Sequence, residues 1–171
     1  FLFLVFLTSP LAYSAPSNTA QTINTWVYYE FLRIEEKEAQ KRYAEVEADY
    51  LELIYENTWS SRSFDHAVIL KRYGFFLITQ DRPEEGLEFI EWALRKRALE
   101  DRDEHNLQYV VGQINASLGN YEYGLEKLLG WYKLGKARNY DLSPKGIALI
   151  GICYAQLEQY EPGLEYITIA I

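Results

Sequence analysis

One cysteine, two histidines and no methionine occur among 171 residues. A lone thiol excludes an internal disulfide framework, so packing alone must hold the fold. Basic side chains are also scarce: 17 Lys and Arg stand against 25 Asp and Glu, a formal charge of −8. That balance argues against nucleic acid as a partner, which needs a basic stripe, and against an anionic membrane surface. No apolar run approaches the ~20 residues that span a bilayer. Strand signals are missing as well: no stretch alternates with period two over a useful length, and no Asn-Gly or Asp-Gly turn occurs.

What is present suits a folded chain. Apolar residues make up 49% of the sequence and charged residues 25%, which argues against disorder. The first fourteen residues, FLFLVFLTSPLAYS, carry no charge. An apolar run, Pro10 and the small residues Ala12 and Ser14 match the core and cleavage region of a secretory signal. Residues 1–14 are therefore expected to be a signal peptide cut near Ser14–Ala15, leaving a periplasmic protein with no stable membrane insertion. The missing initiator Met and basic leader predict that further residues precede Phe1 in the natural chain.

Residues 15–62 are expected to form an N-terminal helical region. Leu32, Ala39, Tyr43, Val46, Tyr50 and Leu53 recur at three-and-four spacing, the mark of a narrow amphipathic seam. The charged run EEKEAQKR fits a solvated face. The pattern suits one long helix or two joined by a weak break. Further on, Ser63 is placed to cap a helix with Asp65 in its first turn. Asp81, with Glu84 three residues later, resembles a capping box, and Pro83 suits a first turn. Ser143-Pro144 repeats the cap-then-proline arrangement.

Residues 63–171 hold an internal repeat. EGLEFIEWAL at 85–94 returns as YGLEKLLGWY at 123–132 and PGLEYITIAI at 162–171. Gly86, Gly124 and Gly163 each follow an earlier glycine, Gly74, Gly112 and Gly151, by twelve residues. Glycine inside a helix costs up to ~1 kcal/mol relative to alanine, so six of them require compensation. Close helix–helix approach supplies it. Twelve residues accommodate part of a helix, a turn and the start of the next helix, so the expectation is an all-α stack of helical hairpins. The units span about 63–101, 102–140 and 141–171, linked by RALEDRDEH and KLGKARNYDL. The last unit still reads as periodic at Ile171, which predicts further repeats downstream.

These units resemble the tetratricopeptide repeat family. Ile147, Ile150-Gly151 and Tyr154 match its first-helix pattern, and LGNY at 118–121 and LEQY at 157–160 match its turn. Gly163, Ile167 and Ala170 match the second helix, as do Gly86, Ile90 and Ala93. Departures are Trp131 at the late alanine, Asn115 and Leu77 at the aromatic position, Pro83 at the turn tyrosine, and a period longer than the usual ~34 residues. The resemblance implies an α-solenoid of antiparallel hairpins whose first helices line a concave groove. The exported chain with long links is similar to periplasmic tetratricopeptide proteins of TonB-type systems, which implies a non-enzymatic accessory of an outer-membrane uptake complex. An adapter in cell-envelope assembly or polysaccharide export is the alternative. A third possibility is an enzyme whose catalytic domain lies beyond Ile171.

No catalytic constellation is legible, and no cofactor or metal site is expected. His66 and His105 each adjoin an acid near a helix start and are expected to be solvated. Cys153 lies in an apolar run and reads as a small buried hydrophobe. Asn115–Ser117 matches a glycosylation acceptor by chance, since it falls mid-helix. The expected partner is a protein or peptide, bound along the first helices by Lys71, Phe75, Ile78 and Thr79, then Asn106, Tyr109, Gln113 and Ser117, then Lys145, Ala148, Ile152 and Gln156. Phe75 and Tyr109 are the candidate aromatic anchors, although Phe75 and Ile78 could equally pack under the preceding helix. The family's carboxylate clamp is incomplete: Lys71 and Lys145 match it, but Phe75, Val110 and Leu149 occupy its other places.

Overall fold

The computed structural model describes residues 21–55 and 58–171; the signal peptide expected at 1–14 lies outside them. The described residues form eight α-helices and no strand. They are α1 (Thr25–Ala39), α2 (Tyr43–Tyr55), α3 (Phe64–Thr79), α4 (Pro83–Arg95), α5 (Asp101–Ser117), α6 (Tyr121–Arg138), α7 (Pro144–Gln156) and α8 (Tyr160–Ile169). The main contacts lie within the pairs α3–α4, α5–α6 and α7–α8, with α1–α2 packed more loosely. Each pair then contacts the next through α2–α3, α4–α5 and α6–α7.

Each pair is closed by the same turn. Lys41, Asp81, Gly119 and Glu158 have φ of 59°, 61°, 85° and 60°. The next residue donates its N–H back across the helix end: Arg42 to Lys37, Arg82 to Leu77, Asn120 to Asn115 and Gln159 to Tyr154, at 2.9–3.0 Å. A left-handed residue followed by this long backbone bond satisfies carbonyls that the helix leaves open. The described residues of 15–62 thus form two helices, not one, joined by a full turn of the repeating kind.

The glycine pairs sit at one register about these turns. Gly74, Gly112 and Gly151 lie seven residues before the left-handed residue, and Gly86, Gly124 and Gly163 lie five after it. A Cβ on Gly151 would come within 2.7 Å of the Gly163 carbonyl oxygen, and one on Gly124 within 3.0 Å of the Gly112 carbonyl oxygen. The backbones therefore approach more closely than any side chain allows, which is the compensation the sequence required. In the first pair the two places are held by Ile34 and Val46, both fully buried. Branched side chains there keep α1 and α2 further apart.

Two apolar clusters run through the chain. One joins α1 to α5 through Phe31, Tyr50, Ile69, Leu77, Ile90 and Val111; the other joins α5 to α8 through Leu128, Trp131, Ile150 and Cys153. α5 contributes to both. Ion pairs reinforce the contacts between units: Arg82 reaches both Glu47 oxygens at 3.0 Å, and the Tyr73 hydroxyl donates to the same carboxylate at 3.2 Å.

Several local expectations are borne out. Ser63 Oγ accepts from the His66 N–H at 3.2 Å, and Ser143 Oγ from the Gly146 N–H at 3.0 Å. Pro83 and Pro144 open their helices. Others need correction. Asp81 is the left-handed turn residue and caps nothing, because Arg82 takes the N-cap place. The buried seam of α1 is Val27, Phe31 and Ile34, whereas Leu32, Ala39 and Tyr43 are exposed. The links are shorter than expected, since α5 already begins at Asp101 and α6 continues to Arg138.

Candidate partner-binding surface

The turn register also organises the exposed face of the first helices. Six residues before the left-handed residue that closes each pair stand Glu35, Phe75, Gln113 and Ile152, and all four are exposed. Two residues before it stand Ala39, Thr79, Ser117 and Gln156, again all exposed. Phe75, Gln113 and Ile152 each stand two residues after a buried side chain, Tyr73, Val111 or Ile150, and so lie about 200° round the helix from it, away from the core.

The expected contact residues divide into two groups. Phe75, Gln113, Lys145, Ile152 and Gln156 are exposed, with Phe75 at 37% and Ile152 at 47%. Lys71, Ile78 and Tyr109 are committed to internal packing. The Lys71 ammonium donates to Asp103 at 2.6 Å, tying α3 to α5. Ile78 lies against Gly86 on the paired helix, where an added Cβ would meet its Cγ1 at 2.8 Å. The Tyr109 ring packs on Trp131, with centroids 5.1 Å apart, and against Gly146 of α7. Tyr109 thus joins α5, α6 and α7. Asn106 is exposed and Ala148 half-buried.

Phe75 also lines a cleft of about 520 Å³ where α1, α2 and α3 meet. Its other walls are Glu35, Glu38, Tyr43, Tyr50, Arg72, Phe76, Thr79 and Gln80. Tyr50 and Phe76 are buried and stack in a tilted pair 5.9 Å apart, while Tyr43 stands 40% exposed beside them. Arg72 donates to Glu35 at 2.9 Å and lies over the Phe31 ring at 4.1 Å. Burial pushes the Glu38 carboxyl above its usual range; Arg72 opposes that shift and Glu35 adds to it.

The α1 and α2 walls of this cleft were missed in the sequence because the glycine signature that marks the later units is absent there. A signal was nevertheless present. Gln40-Lys41-Arg42 with Glu45 and Gln80-Asp81-Arg82 with Glu85 share a Gln-x-Arg-x-x-Glu pattern. In both, the arginine guanidinium forks onto the glutamate three residues on.

The histidines require correction. Both are buried rather than solvated, with His66 3% and His105 4% exposed. His66 stacks on Trp59 at 5.3 Å and meets Trp92 edge-on at 5.2 Å. His105 packs on Trp131 and Tyr140. Among the described residues, neither ring nitrogen of His66 has a hydrogen-bond partner, nor does His105 Nε2. Burial lowers His66 to about 4, with the Lys96 charge adding to the effect, and burial lowers His105 in the same direction. Much of this was hidden in the sequence, because Trp92 beside His66 and Trp131 beside His105 come from the following helix, 26 residues away in both cases.

Cys153 is fully buried, and burial raises its thiol pKa. Asn115 is buried within α5, donating to the Val111 carbonyl at 2.9 Å. Among the described residues, no helix is long and apolar enough to cross a membrane. Compared with known protein families, curated proteins and solved structures, the chain matches none of them.

Proposed function

We propose that this chain is a non-enzymatic scaffold of the tetratricopeptide type, a solenoid of antiparallel helical hairpins that binds a protein or peptide segment along its first helices. The observation that carries this reading is the exposed row Glu35, Phe75, Gln113 and Ile152, one residue per unit at a constant register. An extended or helical segment contacting such a row meets a similar backbone setting at each unit and a different side chain each time. Two of the four are large apolar groups held in water, which favours their burial by a partner. Phe75 is the main anchor, and Gln113, Ile152, Gln156 and Lys145 extend the surface.

The signal-like first fourteen residues support a partner in the cell envelope. A component of a TonB-type uptake system comes first, with envelope assembly or polysaccharide export machinery as the alternative.

A photo-crosslinking residue placed singly at Phe75, Ile152, Glu88 and Glu126 in the full-length protein, in its native cells, tests the proposal. The last two sites are exposed on second helices and serve as controls. The same adduct at Phe75 and Ile152, and none at Glu88 or Glu126, supports the reading. Adducts confined to the second-helix sites overturn it.

A further inference from the structure

The cleft between α1, α2 and α3 combines two features that together select one kind of ligand. Four of its lining residues are aromatic: Tyr50 and Phe76 lie buried, and Tyr43 and Phe75 are partly exposed. Its rim is acidic, with Glu35 and Glu38 one helical turn apart on α1. Arg72, the cation in the cleft, is already engaged by Glu35 and by the Phe31 ring. The Glu38 carboxylate has no hydrogen bond or ion pair among the described residues and feels Arg72 only through space.

From this arrangement, and resting on the reading of the first-helix row as a peptide-binding surface, we infer that the cleft takes an arginine or lysine side chain of the bound segment. The cation lies against the Tyr43 and Phe75 ring faces and its N–H groups reach Glu38. Ring faces attract cations through their quadrupole, and a carboxylate adds a charge-assisted hydrogen bond. A purely apolar occupant would cover Glu38 and leave its charge desolvated without a partner. An anionic occupant would meet two carboxylates and one already neutralised guanidinium. The overall charge of −8 favours the approach of a basic segment at long range.

Phe75 belongs both to the cleft and to the row, so the basic side chain marks where the partner enters at the N-terminal end of the surface. The rest of the segment then runs toward Gln113 and Ile152.

The test pans a display library of short random peptides against the whole chain and against Glu38→Gln, Phe75→Ala and Ile152→Ser variants. Enriched peptides are then measured singly by calorimetry. The expected result is a shared Arg or Lys, with Glu38→Gln weakening binding by about five- to tenfold. Replacing that Arg or Lys by an uncharged residue gives a similar loss, and the two changes together cost little more than either alone. Peptides that depend on Phe75 and Ile152 but carry no shared basic residue, or that ignore Glu38→Gln, overturn the inference and leave the proposed function standing. No enrichment on the chain, or enrichment unaffected by all three variants, overturns both.

Discussion

Gly74 and Gly86 face each other where α3 crosses α4, and a Cβ built on Gly86 would lie 2.5 Å from the Gly74 carbonyl oxygen. That oxygen is backbone and cannot swing away, so the helices must separate to admit a methyl group. Gly86→Ala is expected to destabilise the chain by about 1–3 kcal/mol despite the better helix propensity of alanine. Gly130 provides the contrast. Its Cβ would meet Gln108 Oε1, the end of a flexible side chain, an oxygen that accepts no hydrogen bond among the described residues. Gly130→Ala should be neutral or stabilising by up to ~1 kcal/mol. Denaturant titration of both variants checks the pair, and equal effects would contradict the account.

The turn residues give a prediction of opposite sign. Lys41 and Glu158 hold left-handed backbone that costs an L-residue ~1–2 kcal/mol, whereas glycine loses ~0.4–1 kcal/mol through unfolded-state freedom. Both side chains are exposed, so Lys41→Gly and Glu158→Gly should each stabilise by roughly 0.5 kcal/mol. Gly119→Ala, with φ of 85° and open space around the site, should destabilise through strain alone. Thermal unfolding of the three variants reads out both directions.

Much of the fold was legible because close packing leaves a mark in the sequence. The three glycine pairs identified the helix pairs α3–α4, α5–α6 and α7–α8, and the Ser63 and Ser143 caps located two helix starts. The first pair escaped because Ile34 and Val46 replace the glycines, so its register shows only in the shorter Gln-x-Arg-x-x-Glu match. The exposure of the expected contact residues was legible by halves. Exposure of Phe75, Gln113 and Ile152 follows from helical periodicity, since each lies about 200° round the helix from the buried Tyr73, Val111 or Ile150. The engagement of Lys71 by Asp103 and of Tyr109 by Trp131 depends on how neighbouring units dock, which a pattern within one helix does not encode.

The buried His66 should make stability depend on pH. Its folded pKa, about 4, lies below its ordinary value of 6.5, so the unfolded chain takes up the proton first. The stabilisation from neutral His66 is present in full above about 6.5 and is lost as pH falls toward about 4. Lys96 acts in the same direction, since its positive charge disfavours the imidazolium. His66→Phe should keep the stacking on Trp59 and flatten the slope of melting temperature between pH 6.5 and 4. An unchanged slope would show that other groups govern acid sensitivity in that range.

The most direct test of the exposed row as the binding surface is a double variant, Phe75→Ser with Ile152→Ser, expressed at native level. Both residues are only partly exposed, Phe75 at 37% and Ile152 at 47%, so the variant should stay folded with a melting temperature lowered by about 2–8 °C at most. The account predicts that the partner captured by the parent co-purifies with the variant at about a tenth of the parental yield or less, equivalent to a loss of ~1.4 kcal/mol or more. Full recovery of the partner by a folded double variant would contradict it.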